Sequence, residues 1–261
     1  MLGCPLITAL RAATTLALLA AALTPTRAAD IHVFTSGAPA EVQKVLARPF
    51  TEATGHRVLF TVSNLAAVQE KIAAGENPDV VVFPAPAIET LDKAGKLRPG
   101  TRHMLARVGI GVVVRQGARV PDVSTVEALR KTLLEARSIV HSPPEGGGFT
   151  GAHIARMFMQ LGIADELKPK VTLLFAINGG VEAVAKGEAE IGLFNISEIL
   201  PVPGVTLAGP FPPAVQNYIT FAGALHAGSL SPEPAAAFLR SLTEPKARDP
   251  WKAGGFEPLG P

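Results

Sequence analysis

The sequence predicts an α/β protein built as two interlocked lobes, and three observations carry that prediction. Short apolar, β-branched runs alternate with helical patterns along the chain, as strands and helices do around largely parallel sheets. Several runs are apolar throughout, as befits strands covered on both faces. No polar linker divides the chain near its middle, so lobes that each take separate chain segments suit it better than two consecutive domains.

The strand candidates are Ile31–Phe34, Val58–Val62, Val80–Phe83, Gly109–Val114, Ile139–His141, Val171–Phe175, Ile191–Phe194, Val205–Ala208 and Tyr218–Ala222. Between them, Glu41–Ala53 sets Val42, Val45, Leu46 and Phe50 on one helical face, with Pro49 expected to disturb it. Ala66–Ala74, Ala87–Ala94, Thr125–Ala136, Gly151–Leu161 and Val181–Lys186 repeat the helical pattern. Ser124 with Glu127 reads as a capping box, and Ser231 before Pro232 and Glu233 as the capped opening of the last helix. The stretch from Val205 to Pro213 contains Pro210 and Pro212, resists helix, and reads as irregular surface around a short strand candidate.

The N-terminus reads as a cleaved export signal. Arg11, the apolar run Ala12–Leu23 and the small residues Thr26 and Ala28 follow the required order, placing cleavage after Ala28 or one residue later. The run falls short of the roughly 20 apolar residues of a membrane-spanning helix. Cys4 precedes the run, whereas a lipid-anchored cysteine would follow it. Without residues 1–28, 233 residues remain (261 less 28), enough for one large domain or two medium ones. Arg11, Arg27 and the sole cysteine are lost, leaving 22 basic side chains (24 less 2) against 22 acidic. A formal charge of zero argues against nucleic acid or an anionic membrane as partner. With no cysteine left, no disulfide forms and stability rests on burial.

The chemistry is concentrated where strands give way to helices. In open α/β sheets ligands collect beyond the carboxyl ends of strands, where helix N-termini offer N–H groups to anions. The first strand ends in Phe34, Thr35, Ser36 and Gly37, the second in Val62, Ser63, Asn64 and Leu65. Capping alone explains any one such Ser or Asn; two strand ends alike point to a pocket. Gly146 to Gly151 (GGGFTG) matches the dinucleotide pattern in form, but the next strand ends without an acidic residue, so the loop reads as a flexible or anion-facing one. No G-x-S-x-G elbow is present, and the six histidines show no metal-ligand spacing, so no metal or cofactor is expected. His56 and His103 read as surface residues in polar turns. His141 and Glu145 flank the glycine loop and could act as acid and base, although strand-end groups facing solvent is the simpler reading.

Four segments carry a resemblance over nearly all of the exported chain. They are Ile31 to Ser36 (IHVFTS), Lys71 to Val80 (KIAAGENPDV), Leu161 to Leu167 (LGIADEL) and Val184 to Gly192 (VAKGEAEIG). The chain resembles the type II periplasmic solute-binding proteins, in particular the molybdate-binding branch serving ABC importers. That resemblance implies two mixed sheets flanked by helices and joined by two crossing strands, mapped onto Arg107–Arg115 and Asn217–Gly223. It implies a first lobe of residues 29–107 with 221–261 and a second of 108–220, closing on ligand like a hinge. It implies a monomer that binds a small anion, a molybdate-like oxyanion or a small carboxylate, and delivers it to an inner-membrane permease. Carried over by position, the ligand contacts fall on Ser36, Ser63, Thr150, Ile177 and Asn195, with Thr35, Asn64 and Tyr218 beside them. Where the family has Ser-Ser-Gly after the second strand, this chain has Ser63, Asn64 and Leu65, and Asn195 stands where a tyrosine is usual. A related set of the same fold resembles aconitate isomerases, the enzyme alternative, for which His141 and Glu145 are the candidate acid and base.

Overall fold

The computed structural model describes residues 28–145 and 148–260; all but the last residue of the expected export segment, Cys4 included, and Gly146 and Gly147 lie outside the described residues. The chain begins with β1 (Asp30–Thr35), α1 (Gly37–Thr54), β2 (Arg57–Val62), α2 (Leu65–Ala73), β3 (Val80–Pro84), α3 (Ala85–Lys93) and β4 (His103–Val108). It continues with β5 (Ile110–Arg115), α4 (Val126–Glu135), β6 (Ile139–His141), α5 (Gly148–Gln160), α6 (Ala164–Leu167), β7 (Val171–Leu173), α7 (Gly180–Lys186), β8 (Ile191–Asn195), α8 (Ile196–Ile199) and β9 (Val205–Pro210). It returns through β10 (Ile219–Leu225), α9 (Pro232–Ser241), α10 (Arg248–Ala253) and β11 (Glu257–Pro258).

These strands make two sheets, ordered β11-β4-β10-β3-β1-β2 and β7-β6-β8-β5-β9. Both are mixed. β1 pairs in parallel with β2 and β3, and β6 with β7 and β8, whereas β10 and β5 run antiparallel to their neighbours. The apolar runs explain the centres: β3 is buried at its first four residues and β8 at all five. Each sheet has its own core, one around Val33, Val82, Phe238 and Trp251, the other around Val112, Leu129, Ile154 and Leu193. Fully burying one such side chain contributes about 1.5–3 kcal/mol.

Register places the site. Because β10 is antiparallel to both β3 and β4, β4 points the same way as β1, β2 and β3. Its end, Val108, therefore lies on the sheet edge where Thr35 and Val62 end their strands. Gly109 leads directly into β5, whose first residue Ile110 pairs with Asn195, the last residue of β8. The carboxyl ends of β1–β3 and of β6–β8 thus border the same crossing. Gln216, just before β10, clamps it: Ile110 N–H donates to its Oε1 at 2.8 Å, and its Nε2 donates to the Ile110 carbonyl at 2.9 Å. Gly109 leaves room for that amide, since a Cβ there would stand 2.9 Å from Gln216 Nε2.

Several sequence expectations need correction. Pro49 lies inside α1 without ending it, because Pro49 and Val45, whose carbonyl loses its helical donor, both face solvent. The stretch from Val205 is not irregular surface: β9 forms the edge of the second sheet against β5, where Pro210 removes no donor that a further strand needs. His103–Val108 is a strand although His103 and Arg107 mask its apolar residues. The N-cap of α4 is Thr125, accepting from Ala128 N–H at 3.1 Å, while Ser124 bonds to Asp122 instead. Ser231 makes no side-chain cap, and α9 is followed by α10. His56 is buried rather than a surface residue, its Nδ1 accepting from Ala29 N–H at 3.1 Å.

Candidate functional site

Three parallel strands of the second lobe end side by side, with His141 of β6 opposite Leu173 of β7 and Leu193 of β8. The residues at and just past these strand ends are thereby brought to one edge. Ser142 comes after β6, Phe175–Asn178 after β7, and Asn195 closes β8; with Thr150 and Glu198 they enclose a pocket of about 360 Å³. Thr150 lies in the first turn of α5, held there by a close approach. Gly151 sits so near the chain after β6 that a Cβ would come within 2.0 Å of the Pro143 carbonyl oxygen. This contact explains the glycine after Thr150 by space alone.

The polar groups of this pocket are connected. Thr150 Oγ1 donates to Asn195 Oδ1 at 2.9 Å, both residues being buried. Asn195 N–H donates to Glu198 Oε2 at 3.2 Å. Burial pushes the Glu198 carboxyl up from the ordinary carboxylate range, opposed by hydrogen bonds from the backbone and side chain of Asn195. None of the eight lining residues carries a basic side chain. Ile177, 88 % exposed, stands at the pocket mouth. A hollow of about 410 Å³ lies at the opposite end of the same sheet, among Val114, Ala136 and Ile191. Of the strands that border it β5 ends there whereas β6 and β8 begin there, so the smaller pocket, where β6, β7 and β8 all end, is the better candidate.

The first lobe offers a second edge. Ser63 N–H donates to the Thr35 carbonyl at 3.0 Å and Ser36 N–H to the Val82 carbonyl at 3.2 Å, aligning the three strand ends. Ser36 is the N-cap residue of α1, yet its hydroxyl makes no cap bond and is buried without a partner. Asn64 does cap, accepting from Ala67 N–H at 2.9 Å. Thr35 is fully buried, its hydroxyl receiving Gln43 Nε2 at 2.9 Å, so it sits beneath Ser36 rather than open to a ligand. These residues do not line the second-lobe pocket; they lie on the other edge bordering the crossing. Asn64→Ala is therefore expected to cost about 1 kcal/mol of stability, the usual loss of an N-cap. Ser36→Ala is expected to cost much less, and chemical denaturation distinguishes the two.

Other predicted residues are placed elsewhere. Tyr218 lies under Arg107, whose guanidinium carbon is 3.9 Å from the ring centre. Burial, then a hydrogen bond to Glu257, pushes the Tyr218 hydroxyl up, so the residue belongs to the crossing and not to the Thr150–Asn195 pocket. His141 does not face solvent: it is buried, bonded through Nδ1 to the Ser142 carbonyl at 2.8 Å and set edge-on to Phe158. Burial holds it below the usual histidine range. Glu145 is exposed and does not line the pocket. Sequence reasoning missed Ser142, Asn178 and Glu198. Ser142 repeats the strand-end hydroxyl of Ser36 and Ser63, and Asn195 with Glu198 has the spacing of a capping box.

The raised carboxyl has a consequence for stability. An acid whose folded pKa exceeds its unfolded one imposes no penalty below the unfolded value, near 4.3, and its full penalty above the folded value. Glu198→Gln is expected to raise the melting temperature of the ligand-free protein at pH 7, with the gain shrinking toward pH 4. Thermal unfolding across that range checks it; a constant gain would contradict the burial argument.

Two lobes, each with a polar strand edge at a shared crossing, define a class of binding protein. The chain belongs to the bacterial extracellular solute-binding protein family, whose model matches residues 31–257. It is 30 % identical over 194 residues to an aconitate isomerase of Pseudomonas sp., covering 74 % of this chain and 72 % of the relative. It is 27 % identical over 193 residues to the molybdate-binding protein ModA of Rhodobacter capsulatus, covering 72 % of this chain and 73 % of that one. The periplasmic molybdate-binding protein of Azotobacter vinelandii shares the fold, with a TM-score of 0.65 at 22 % identity over 87 % of this chain and 98 % of that one.

Proposed function

We propose that this solute-binding protein takes up a small anion between its lobes in the periplasm, after removal of residues 1–28, and presents it as a monomer to an inner-membrane ABC permease. The lobes are residues 29–107 with 221–261 and residues 108–220. Ser36 and Ser63 on one edge and Thr150, Asn195 and the Ile177 turn on the other are the ligand-facing groups, with Ser142 added to them. Asn64 and Thr35 support them, and Tyr218 stays at the crossing. One observation carries the reading: Ser36 has a buried hydroxyl that neither caps its helix nor bonds elsewhere, at the N-terminus of an 18-residue helix. Fixed dipoles and neutral hydroxyls of this kind suit an anion that sheds its water.

The relatives divide between binding a molybdate ion and isomerising aconitate, and the isomerase reading requires a base. His141 is buried and, like Glu145, is not among the residues that line the pocket, which leaves Glu198 to that reading. Three carboxylates would also call for basic partners. Arg115 lies beside Gly187, at the far end of β5, and Arg156 is exposed two turns into α5. These placements favour binding without turnover.

The test is a thermal-shift screen of the exported chain against molybdate, sulfate, phosphate and di- and tricarboxylates. An anion at about a hundred times its dissociation constant should add about 2.7 kcal/mol. Ser36→Ala should weaken that anion roughly tenfold, since a hydrogen bond to a charged group contributes about 1.5–3 kcal/mol. The absorbance of trans-aconitate should stay constant; saturable turnover lost in Glu198→Gln would replace the transport reading by the isomerase.

A further inference from the structure

Glu198 is out of place in a pocket for a bare anion. It lines the cavity, it is half-buried, and among the described residues it has no ion-pair partner; the Asn195 N–H donates to it at 3.2 Å. An ionised carboxylate is purely an acceptor, as are the oxygens of sulfate or molybdate. Facing each other in the pocket, the two repel and leave acceptor lone pairs opposed.

Thr150 adds to the imbalance. Its hydroxyl hydrogen is committed to Asn195 Oδ1, so the face left for a ligand is a lone pair. Asn195 turns its side-chain oxygen toward Thr150 and its backbone N–H toward the Glu198 carboxylate. Two adjacent groups of the pocket therefore accept, while Ser142, Asn178 and the first turn of α5 can donate.

We propose that Glu198 makes this pocket select an anion that carries its own O–H donor, a hydroxycarboxylate or a monoprotonated phosphate, over one whose oxygens are all bare acceptors. The inference rests on the anion-binding function proposed for this site and narrows its ligand class. The ligand O–H donates to Glu198 and satisfies the lone pairs that a bare oxyanion leaves opposed. Its charged end takes the donors of the strand ends. This is discrimination by a buried group that goes unpaired with the wrong ligand, which distinguishes ligands far more strongly than a difference in size.

Calorimetric titration at neutral pH tests it with two matched pairs. Malate and succinate differ by one hydroxyl; hydrogenphosphate and sulfate are tetrahedral dianions that differ by one proton. In the native protein the donor-bearing member of at least one pair is expected to bind tenfold or more tightly than its partner, and the pair that discriminates tells a carbon-borne hydroxyl from a protonated phosphate. In Glu198→Gln, which keeps an acceptor for Asn195 N–H but adds a donor, that ratio should fall below threefold, chiefly because succinate or sulfate binds better. Glu198→Asp, which keeps the charge, should retain the preference. Each ratio is internal to one protein, so a less stable variant still reports. Equal affinity within both pairs, or a ratio that survives Glu198→Gln, overturns the role of Glu198 while leaving an anion site. Binding of none of the four, nor of molybdate, overturns the anion reading itself and this inference with it.

Discussion

Replacing Asp79 with alanine is expected to destabilise the protein by about 3–5 kcal/mol, a loss in the upper range for a single substitution. Asp79 is 3 % exposed and ends the loop before β3. Its Oδ1 accepts from Ser229 Oγ at 2.7 Å, Leu230 N–H at 3.1 Å and Ser231 N–H at 3.0 Å, and its Oδ2 from His32 N–H at 2.9 Å. One side chain thereby ties β1 to the loop that starts α9, 150 residues further on. Each donor orphaned in a buried place costs about 1–3 kcal/mol. The Leu230 and Ser231 N–H bonds are only partly buried, so the total stays below the full sum. Asp79→Asn should cost less, because an amide oxygen still accepts at one position. Urea unfolding measures both, and a loss below about 1 kcal/mol for the alanine variant would show that the hub is dispensable. The site lies elsewhere, so anion affinity in the folded fraction should be unchanged.

Gly151→Ala is expected to damage stability and binding together. Its Cβ would stand 2.0 Å from the Pro143 carbonyl oxygen and 2.5 Å from that of Ser142, both backbone atoms that no rotamer change can move. Either α5 or the strand end must retreat. Overpacking of this kind costs about 1–3 kcal/mol. The retreat also separates Ser142 from Thr150, whose neighbouring positions shape the pocket, and an anion affinity at least tenfold lower is expected. Gly37→Ala serves as the control for stability, since a Cβ there meets nothing within 4 Å. A Gly151→Ala protein with native melting temperature and affinity would refute the close-approach account of the glycine loop.

The sequence by itself determined the elements that bury apolar side chains at a regular period. β3 and β8 announce themselves as continuous apolar runs, and α1 by Val42, Leu46 and Phe50 on one face, because burial energy tracks local composition. The strand-end positions of Ser36 and Ser63 were legible for the same reason, since strands and helices alternate and the residues between them fall at a sheet edge; Thr150 and Asn195 came from the family resemblance alone. Which of those groups is free for a ligand was decided by tertiary structure alone. Ser36 and Asn64 are both N-cap residues, yet only Asn64 spends its side chain on the cap. The sequence did not show that Tyr218 packs under the guanidinium of Arg107 and near the carboxylate of Glu257, which β4 and β11 bring to the crossing. Glu198 reads in sequence as an ordinary helix-start acid and becomes a desolvated acceptor only because Ser142, Thr150 and Phe175 close around it. Periodicity is a property of neighbouring residues along the chain, whereas hydrogen-bond satisfaction and desolvation depend on groups that the fold brings together from distant segments.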